Sequence, residues 1–223
     1  MNGWQSRGIE LAFTLTSADD IFPTPLLRFE LAEAEKLNRA LLKEIAARQV
    51  AEGGMVKSNR KGWHSERDLF ERKEPAQSAL AQMLLRMLAQ ATKQFAPDTE
   101  FGNVELLADG WINVNPQGGY NAPHDHLGSF WSGVYYVRVP AQTKGQAGAI
   151  EFLSPHKPMP SNGFIEAPIT AQKVIVRPKP GQVLIFPAHL IHWVHPNDSK
   201  EERITIAFNG HFRRRQAALA RTK

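Results

Sequence analysis

The sequence contains no cysteine among its 223 residues. This absence excludes disulfides, thiolate metal ligands and cysteine nucleophiles, and it suits a reducing cytoplasm. Long apolar runs are also missing, since no stretch reaches the roughly 18 apolar residues of a membrane span. The first residues, MNGWQSRGIELAF, do not show the basic and then apolar order of a secretion signal. We therefore expect a soluble, cytoplasmic protein with no membrane partner.

A large excess of charge is missing as well. The 27 basic and 22 acidic residues leave a formal net charge of +5. Five basic residues without an acid in the last thirteen positions account for the whole excess: Arg213, Arg214, Arg215, Arg221 and Lys223. Because the rest of the chain is neutral and such a tail is typical of a solvated terminus, we do not expect nucleic-acid binding.

The first hundred residues show strand patterns and then helical periodicity. Strands are predicted over 9–16 and 25–31, because both segments are rich in strand-forming residues and turn residues precede the second. Apolar residues at helical spacing predict helices over 32–50 and 77–94. The polar segment 58–75 between them is interpreted as a long loop.

After residue 100 the periodicity changes to that of strands. Turn residues recur about every ten positions, and no helical segment intervenes. This pattern predicts a sandwich or barrel, with the two helices packed on the outside of one sheet. The predicted strands cover 104–115, 130–139, 148–154, 172–178, 182–188, 191–194 and 203–209.

The most informative motif is a pair of histidines, His124 and His126, which follow a glycine-containing turn and Pro123. Side chains two residues apart on an extended segment point to the same side, so one short stretch supplies two neighbouring imidazoles. A third ligand from a distant strand would occupy three positions on one face of a metal. The remaining positions would be left for water or substrate.

Three further histidines, His189, His192 and His195, follow an apolar strand at intervals of three. Not all of them can bind the same metal as His124 and His126. His192 is the preferred third ligand, because the strand after it carries a suitably placed cation. We expect His189 and His195 to contact substrate or to have ordinary polar roles.

That cation is Arg203. Residues 196–202 predict a hairpin turn, so the following strand would return antiparallel to the segment that contains His192. Within that strand Arg203, Thr205 and Ala207 share one face. A guanidinium inside a barrel requires an anion, which a small dicarboxylate co-substrate would supply, and Thr205 can add a hydroxyl. The alternative is a surface arginine on an edge strand.

Several of these segments resemble the 2-oxoglutarate/Fe(II)-dependent oxygenases related to prolyl hydroxylases, in particular a bacterial and phage branch. The resemblance rests on WINVNPQGGYNAPHDHLGSFWSGVYYV, PGQVLIFPAHLIHWVHPN and RITIAFN, and upstream on IFPTPLLRF and GWHSERDLF. It implies a mainly β fold with flanking helices, a double-stranded β-helix of the jelly-roll or cupin-like kind braced by two N-terminal helices. We interpret 1–223 as a single domain, with N-terminal strands and supporting helices over 1–100, a jelly-roll catalytic core over 101–212 and a basic tail over 213–223.

The resemblance also implies roles for individual residues. His124 stands at the first iron ligand, His126 where a carboxylate is usual, and His192 at the distal ligand. Arg203 falls where the family binds the far carboxylate of 2-oxoglutarate. Asn115 stands where relatives often place a tyrosine that contacts the same co-substrate.

The departure at His126 leaves two questions about the metal open. Two histidines and one carboxylate form the usual ferrous set, and Asp125 could supply the carboxylate if a bulge rotated the strand. Regular alternation points Asp125 away, so His126 is preferred. An all-histidine set also leaves copper, nickel and zinc open, because imidazole suits each of them.

By resemblance the chain is an oxidoreductase, an iron-dependent dioxygenase. It would hydroxylate an unknown small-molecule or peptide substrate while 2-oxoglutarate and dioxygen are converted to succinate and carbon dioxide. Two alternatives remain: a three-histidine cupin-like metalloenzyme that does not use 2-oxoglutarate, and a non-catalytic jelly-roll binding module. The proline-rich insert 155–167 is a hypothetical substrate lid. The sequence does not give the oligomeric state, and a homodimer is the commonest assembly of soluble oligomers.

Overall fold

The computed structural model describes residues 14–18, 20, 22–141, 145–159 and 164–215. Of the strand predicted over 9–16, the first five residues lie outside the described residues, and the last three are not in a strand. No helix in the described part of the chain is long and apolar enough to cross a membrane.

Two helices and a series of strands follow the predicted order closely. The N-terminal elements are β1 (Leu27–Glu30), α1 (Ala34–Ala51), β2 (Asn59–Arg60), β3 (Trp63–His64) and α2 (Pro75–Phe95). The following strands are β4 (Val104–Asn115), β5 (Tyr120–His124), β6 (Trp131–Arg138), β7 (Ile150–Leu153), β8 (Lys173–Val176), β9 (Gln182–Pro187), β10 (His192–Val194) and β11 (Arg203–Arg214).

The start of α2 shows how the two helices are joined. Pro75 lies in the first turn of α2 and not in the preceding loop. In the first turn of a helix its missing N–H costs nothing, because no intrahelical acceptor exists there. The backbone N–H groups of Ala76 and Gln77 donate to the carboxylate of Glu44 on α1, at 2.8 and 3.0 Å. A negative charge at a helix N-terminus also interacts favourably with the helix dipole.

The strands form two antiparallel sheets. The larger sheet has the order β1-β9-β6-β11-β4-β3, and the smaller has the order β2-β5-β10-β7-β8. Both sheets contribute residues to one shared cavity, so they face each other as the walls of the predicted barrel.

The outer face of the larger sheet packs against the helices. On β11 the residues Ile204, Ile206 and Phe208 are nearly fully buried against apolar residues of α2. Each such side chain contributes roughly 1.5–3 kcal/mol when it is fully buried. This packing confirms that the helices cover one sheet from outside. The α2 residues in this core are Leu80, Ala81, Leu84, Leu88 and Ala91.

The inner faces divide into an apolar part and a polar part. A second core cluster between the sheets contains Tyr136, Phe152 and Phe186. The predicted alternation of β11 is confirmed, since Arg203, Thr205 and Ala207 line the cavity while the residues between them face the helices. Polar side chains are therefore gathered at one part of the barrel interior.

Two predictions about connections are wrong. Residues 196–202 do not form a hairpin, because β10 belongs to the smaller sheet and β11 pairs with β4 and β6 in the larger one. The chain crosses between sheets there, yet Arg203 still reaches the cavity.

The segment 58–75 is also not a solvated loop. It contains β2, β3 and a 3-10 turn in which Leu69 is fully buried. Its polar composition concealed short strands, because two-residue strands give no measurable periodicity.

Candidate metal and co-substrate site

The three predicted ligands lie together. His124, His126 and His192 each offer one ring nitrogen, and these atoms all lie within 4.8 Å of one another. The ring centroids are 5.0 Å apart for His124 and His126, 4.4 Å for His124 and His192, and 5.3 Å for His126 and His192. Such a cluster can hold one metal ion by three imidazoles.

A β-bulge sets the orientation of β5 in this cluster. His192 pairs with His124, but Val194 pairs with Asn121, so two residues of β5 lie opposite the single residue Trp193 of β10. The extra residue changes which side chains face inward, and both Asn121 and His124 therefore line the cavity although they are three residues apart. The bulge falls at Ala122 and Pro123, where proline has no N–H to pair.

Backbone carbonyls fix the tautomers of two histidines. The Nδ1 atom of His124 lies 2.7 Å from the carbonyl oxygen of Ala122, and that of His192 lies 2.8 Å from Leu190. A carbonyl can only accept, so each Nδ1 carries the proton and each Nε2 keeps a lone pair. A metal-binding histidine commonly has this arrangement, in which the second nitrogen holds the ring in place.

Burial keeps the cluster neutral. It lowers the pKa of His126 and of His192 to about 3, and it also lowers the pKa of His124. At neutral pH these rings are unprotonated, which is the state that binds a metal. Asp125, the alternative third ligand, is not a member of the cluster.

The cavity around the histidines is small, with a volume of about 40 Å³. Both sheets contribute to its lining. Phe186 lies against His192 with ring centroids 4.8 Å apart, which gives this side of the cluster an apolar wall. The lining residues are Ser58, Trp111, Asn113, Asn121, His124, His126, Ser132, Gly133, Val134, Ile150, Phe186, His192, Val194, Arg203, Thr205 and Ala207.

Arg203 is almost completely buried beside Thr205 in this lining. Its Nε donates to the carbonyl oxygen of Gly148 at 3.0 Å, and its guanidinium lies 5.3 Å from the ring centre of Tyr136. Within the described ranges no carboxylate forms an ion pair with Arg203. A buried cation without a counter-ion is costly, so the cavity is suited to an anion.

Two other asparagines, Asn113 and Asn121, line the cavity, whereas Asn115 does not. Asn115 is fully buried and donates from its amide nitrogen to Oδ1 of Asn121 at 2.9 Å. The cavity lining contains Asn113 and Asn121, and Oδ1 of Asn113 has no hydrogen-bond partner among the described residues. Asn113 shares a strand face with Asn115, so the period-two pattern could have indicated it. The bulge concealed Asn121.

The other two histidines of the distal segment lie elsewhere. His189 is exposed. His195 faces away from the cavity, and its Nε2 lies 3.0 Å from a carboxylate oxygen of Glu151. Neither residue belongs to the metal-binding cluster.

A stack of rings that the sequence did not predict stands beside His126. The ring of Trp111 lies 5.5 Å from that of His126, and His64 stacks on Trp111 at 5.5 Å with an interplanar angle of 11°. The guanidinium of Arg67 lies 4.6 Å from the centre of the Trp111 ring. The short strands of segment 58–75 therefore help to build the site.

The insert 155–167 lines a different space. Its described residues Pro155, His156, Lys157 and Met159 border an open apolar groove of about 880 Å³, together with the chain around β1. They are not among the residues that line the histidine cavity. Its role as a lid stays a prediction.

Solved structures share this architecture. A prolyl-4-hydroxylase from Pseudomonas putida superposes with a TM-score of 0.60 at 18% identity, over 86% of this chain and 93% of that one. The alpha-ketoglutarate-dependent epimerase SnoN from nogalamycin biosynthesis superposes with a TM-score of 0.60 at 16% identity, covering 87% and 80%. HygX from Streptomyces hygroscopicus, with nickel and 2-oxoglutarate bound, gives 0.56 at 13% identity, covering 84% and 83%. These similarities confirm the double-stranded β-helix.

The family comparison agrees with the fold. No curated protein matches the sequence. Residues 109–209 match the family described as "Putative 2OG-Fe(II) oxygenase", and this segment contains the three clustered histidines and Arg203. Enzymes of that family use Fe(II), 2-oxoglutarate and dioxygen. Over this segment, the chain is similar to the 2-oxoglutarate/Fe(II)-dependent oxygenases.

Proposed function

We propose that His124, His126 and His192 hold Fe(II), and that Arg203 binds 2-oxoglutarate beside it. One observation carries this proposal: three neutral imidazoles and a buried, uncompensated guanidinium line the same cavity. The cluster supplies ligands for a metal, and the guanidinium supplies the charge for a dicarboxylate. The histidine cluster alone would not require a dicarboxylate, and the guanidinium alone would not require a metal.

The donor set fits ferrous iron. Three imidazoles on one side of a cavity leave the opposite positions open, as an oxygen-activating iron requires. When bound, the iron would bring 2-oxoglutarate and dioxygen together and supply the oxidising chemistry, which no side chain can. The protein supplies ligand positions, orientation and exclusion of water.

Arg203 and Thr205 would bind the far carboxylate of 2-oxoglutarate. A guanidinium presents two parallel N–H donors to a carboxylate, and its Nε is already engaged by Gly148, which fixes the plane of the fork. Burial raises the pKa of Tyr136 to about 12, so this neighbouring hydroxyl stays protonated and brings no competing negative charge. Asn115 would act indirectly by holding Asn121.

We propose hydroxylation of a carbon–hydrogen bond as the reaction. The substrate would be a small molecule or a peptide. The fold itself does not decide the outcome, because a hydroxylase and an epimerase both superpose on this chain. Hydroxylation is the simplest outcome for a site in which the described lining residues include no acid or lysine that could serve as a catalytic base.

A second candidate function is a three-histidine metalloenzyme that does not use 2-oxoglutarate. The absence of a carboxylate from the histidine cluster favours it among the described residues. This reading gives no role to Arg203, which would then remain buried without an anion. We therefore rank it second.

Three further parts of the proposal concern the whole chain. We infer a single domain, because the helices and the larger sheet share one core. A cytoplasmic location suits the proposed cofactor, since ferrous iron persists in reducing compartments. The insert 155–167 would act as a substrate lid, and its deletion should leave substrate-independent turnover of 2-oxoglutarate largely intact.

The experiment that tests the site is an anaerobic titration of the Fe(II)-loaded protein with 2-oxoglutarate. A 2-oxo acid chelated to ferrous iron gives a weak visible charge-transfer band, which we expect in the wild type. His192→Ala should abolish the band by removing a ligand. Arg203→Met should shift the titration to at least about tenfold higher 2-oxoglutarate, because a buried charge-assisted pair is lost.

Arg39→Met is the matched control, because Arg39 is an exposed arginine of α1 that pairs with Glu35. It should leave the titration unchanged. A band whose titration is indifferent to Arg203→Met would remove the co-substrate role. Iron bound tightly without any band would favour the three-histidine enzyme.

A further inference from the structure

The segment that joins α1 to α2 closes the barrel beside the histidines. Its strand β2 pairs with β5 of the smaller sheet, and β3 pairs with β4 of the larger sheet. The turn between them fits tightly, since a side chain at Gly62 would lie 2.5 Å from Oδ1 of Asn115. This bridging segment, residues 57–67, therefore has a fixed position relative to the cavity, where Ser58 forms part of the lining.

The bridging segment is strongly basic. It carries Lys57, Arg60, Lys61 and Arg67 against one acid, Glu66. All four basic residues are exposed. The other concentration of positive charge in the chain is the C-terminal tail. The segment that contributes Ser58 to the cavity lining therefore carries a positive potential that attracts anions.

Within the bridging segment, Arg67 contacts an aromatic residue of the cavity lining. Its guanidinium lies 4.6 Å above the ring centre of Trp111, and that ring lies 5.5 Å from His126. Stacking on an aromatic face orients the guanidinium plane and leaves its N–H edge free. Trp111 is thus a neighbour of both this cation and a proposed iron ligand.

The described residues leave most hydrogen-bond donors of Arg67 free. Its ion pair with Asp109 is loose, at 3.5 Å between Nη1 and Oδ2, and its side chain donates no hydrogen bond within the described ranges. The other oxygen of Asp109 is engaged by His211 at 2.6 Å. Asp109 therefore positions Arg67 without saturating it.

Arg72, five residues further on, is an arginine whose hydrogen-bond donors are largely taken up by carboxylates. Its guanidinium contacts three carboxylates, those of Glu74, Asp68 and Glu52. An arginine with that role stabilises the fold and has no donors to spare. The contrast indicates that the donors of Arg67 remain available for a ligand.

We propose that Arg67, stacked on Trp111, binds an anionic group of the substrate, a carboxylate or a phosphate. The basic bridging segment would attract this group and place the neighbouring carbon of the substrate over the histidine cluster. This inference rests on the proposed function, since it names the class of substrate for the same site. It assigns specificity to Arg67 and leaves 2-oxoglutarate binding to Arg203.

The test uses the Fe(II)-loaded protein under anaerobic conditions with saturating 2-oxoglutarate, so that the Arg203 site is filled. Inorganic phosphate and acetate are then titrated separately, and tryptophan fluorescence is followed. Binding at Arg67 should perturb Trp111, and Trp111→Phe identifies the signal. We expect saturable binding that weakens at higher ionic strength, and the tighter of the two anions indicates the source of the charge.

Arg67→Gln should weaken binding of the preferred anion by at least about tenfold. Arg67→Lys should fall between the two proteins, because it keeps the charge and loses the planar fork. Arg39→Gln is the matched control for general charge and should change nothing. The inference is overturned if wild type and Arg67→Gln bind the anion equally, or if Arg39→Gln weakens binding as much as Arg67→Gln does. It is also overturned if wild type shows no saturable binding.

The 2-oxoglutarate charge-transfer band separates this inference from the proposed function. The band should be unaltered in Arg67→Gln. If wild type shows the band but binds neither anion, the oxygenase site stands and the substrate class is wrong. If anions bind through Arg67 while the band is absent, the anion site stands and the proposed function fails.

Discussion

His124 and His192 are direct cross-strand partners on β5 and β10, with ring centroids 4.4 Å apart. Their separation is therefore set by the pairing of two strands and by carbonyl contacts to each Nδ1. Little side-chain freedom has to be lost when a metal binds. A site arranged in this way before binding gains affinity, because the ordering cost has been met during folding.

Substitution of His192 should abolish tight iron binding. His192→Ala removes one of three ligands from a buried position, and we expect the affinity for Fe(II) to fall by at least about a hundredfold, since loss of an outer-shell contact alone costs 10–100-fold. Anaerobic calorimetry with Fe(II) measures the change.

His189→Ala is the control for that experiment. It lies three residues away on the same segment, but His189 is exposed and outside the cluster. Its iron affinity should equal that of the wild type. Comparable losses in both variants would mean that the cluster is not the iron site.

Replacing His126 by a carboxylate should preserve the metal site. His126→Asp produces two histidines and one carboxylate, the donor set most typical of ferrous oxygenases. We expect the variant to bind Fe(II) and to retain the 2-oxoglutarate charge-transfer band. The companion variant Asp125→Ala should bind iron as the wild type does, because Asp125 lies outside the cluster. Loss of iron in Asp125→Ala would assign the third ligand to Asp125 instead.

Gly133 should tolerate no side chain. A Cβ at this position on β6 would collide with the ring of Phe208, its cross-strand partner, and would lie 2.9 Å from the carbonyl oxygen of Leu184. Overpacking of this kind costs about 1–3 kcal/mol, so Gly133→Ala should lower the urea midpoint. Gly102→Ala is the control, since nothing lies within 4 Å of a Cβ there. Equal midpoints would show that Phe208 can move aside.

Much of this architecture follows from local patterns. The alternation of β11 predicted that Arg203 and Thr205 share an inward face, and the spacing of apolar residues predicted both helices. The pairing of His124 with His126 followed from the same period of two. These features depend on neighbours in sequence, so the sequence reveals them.

The features that the sequence did not predict depend on contacts between distant segments. The crossing at residues 196–202 carries the chain from one sheet to the other, and turn residues alone do not distinguish such a crossing from a hairpin. The bulge that turns Asn121 inward arises from the register of β5 against β10. The stack of Arg67 on Trp111 joins residues 44 positions apart, which no local periodicity reports.

The metal-free protein should lose stability as the pH is lowered below neutrality. His126 and His192 have an ordinary pKa of 6.5 when the chain is unfolded, and burial lowers the pKa to about 3 in the folded protein. Between those values the unfolded chain binds protons that the folded chain does not, so stability falls as the pH falls. Each histidine can contribute up to about 1.4 kcal/mol per pH unit.

Urea unfolding of the metal-free protein at a series of pH values between neutrality and about 5 measures this slope. His192→Gln removes one of the two buried imidazoles, so it should flatten the dependence by up to about 1.4 kcal/mol per pH unit. His126→Gln should do the same, and the double variant should lose both contributions. A pH dependence that is the same in all four proteins would mean that other groups govern acid sensitivity, and that the histidine cluster is protonated without cost to the fold.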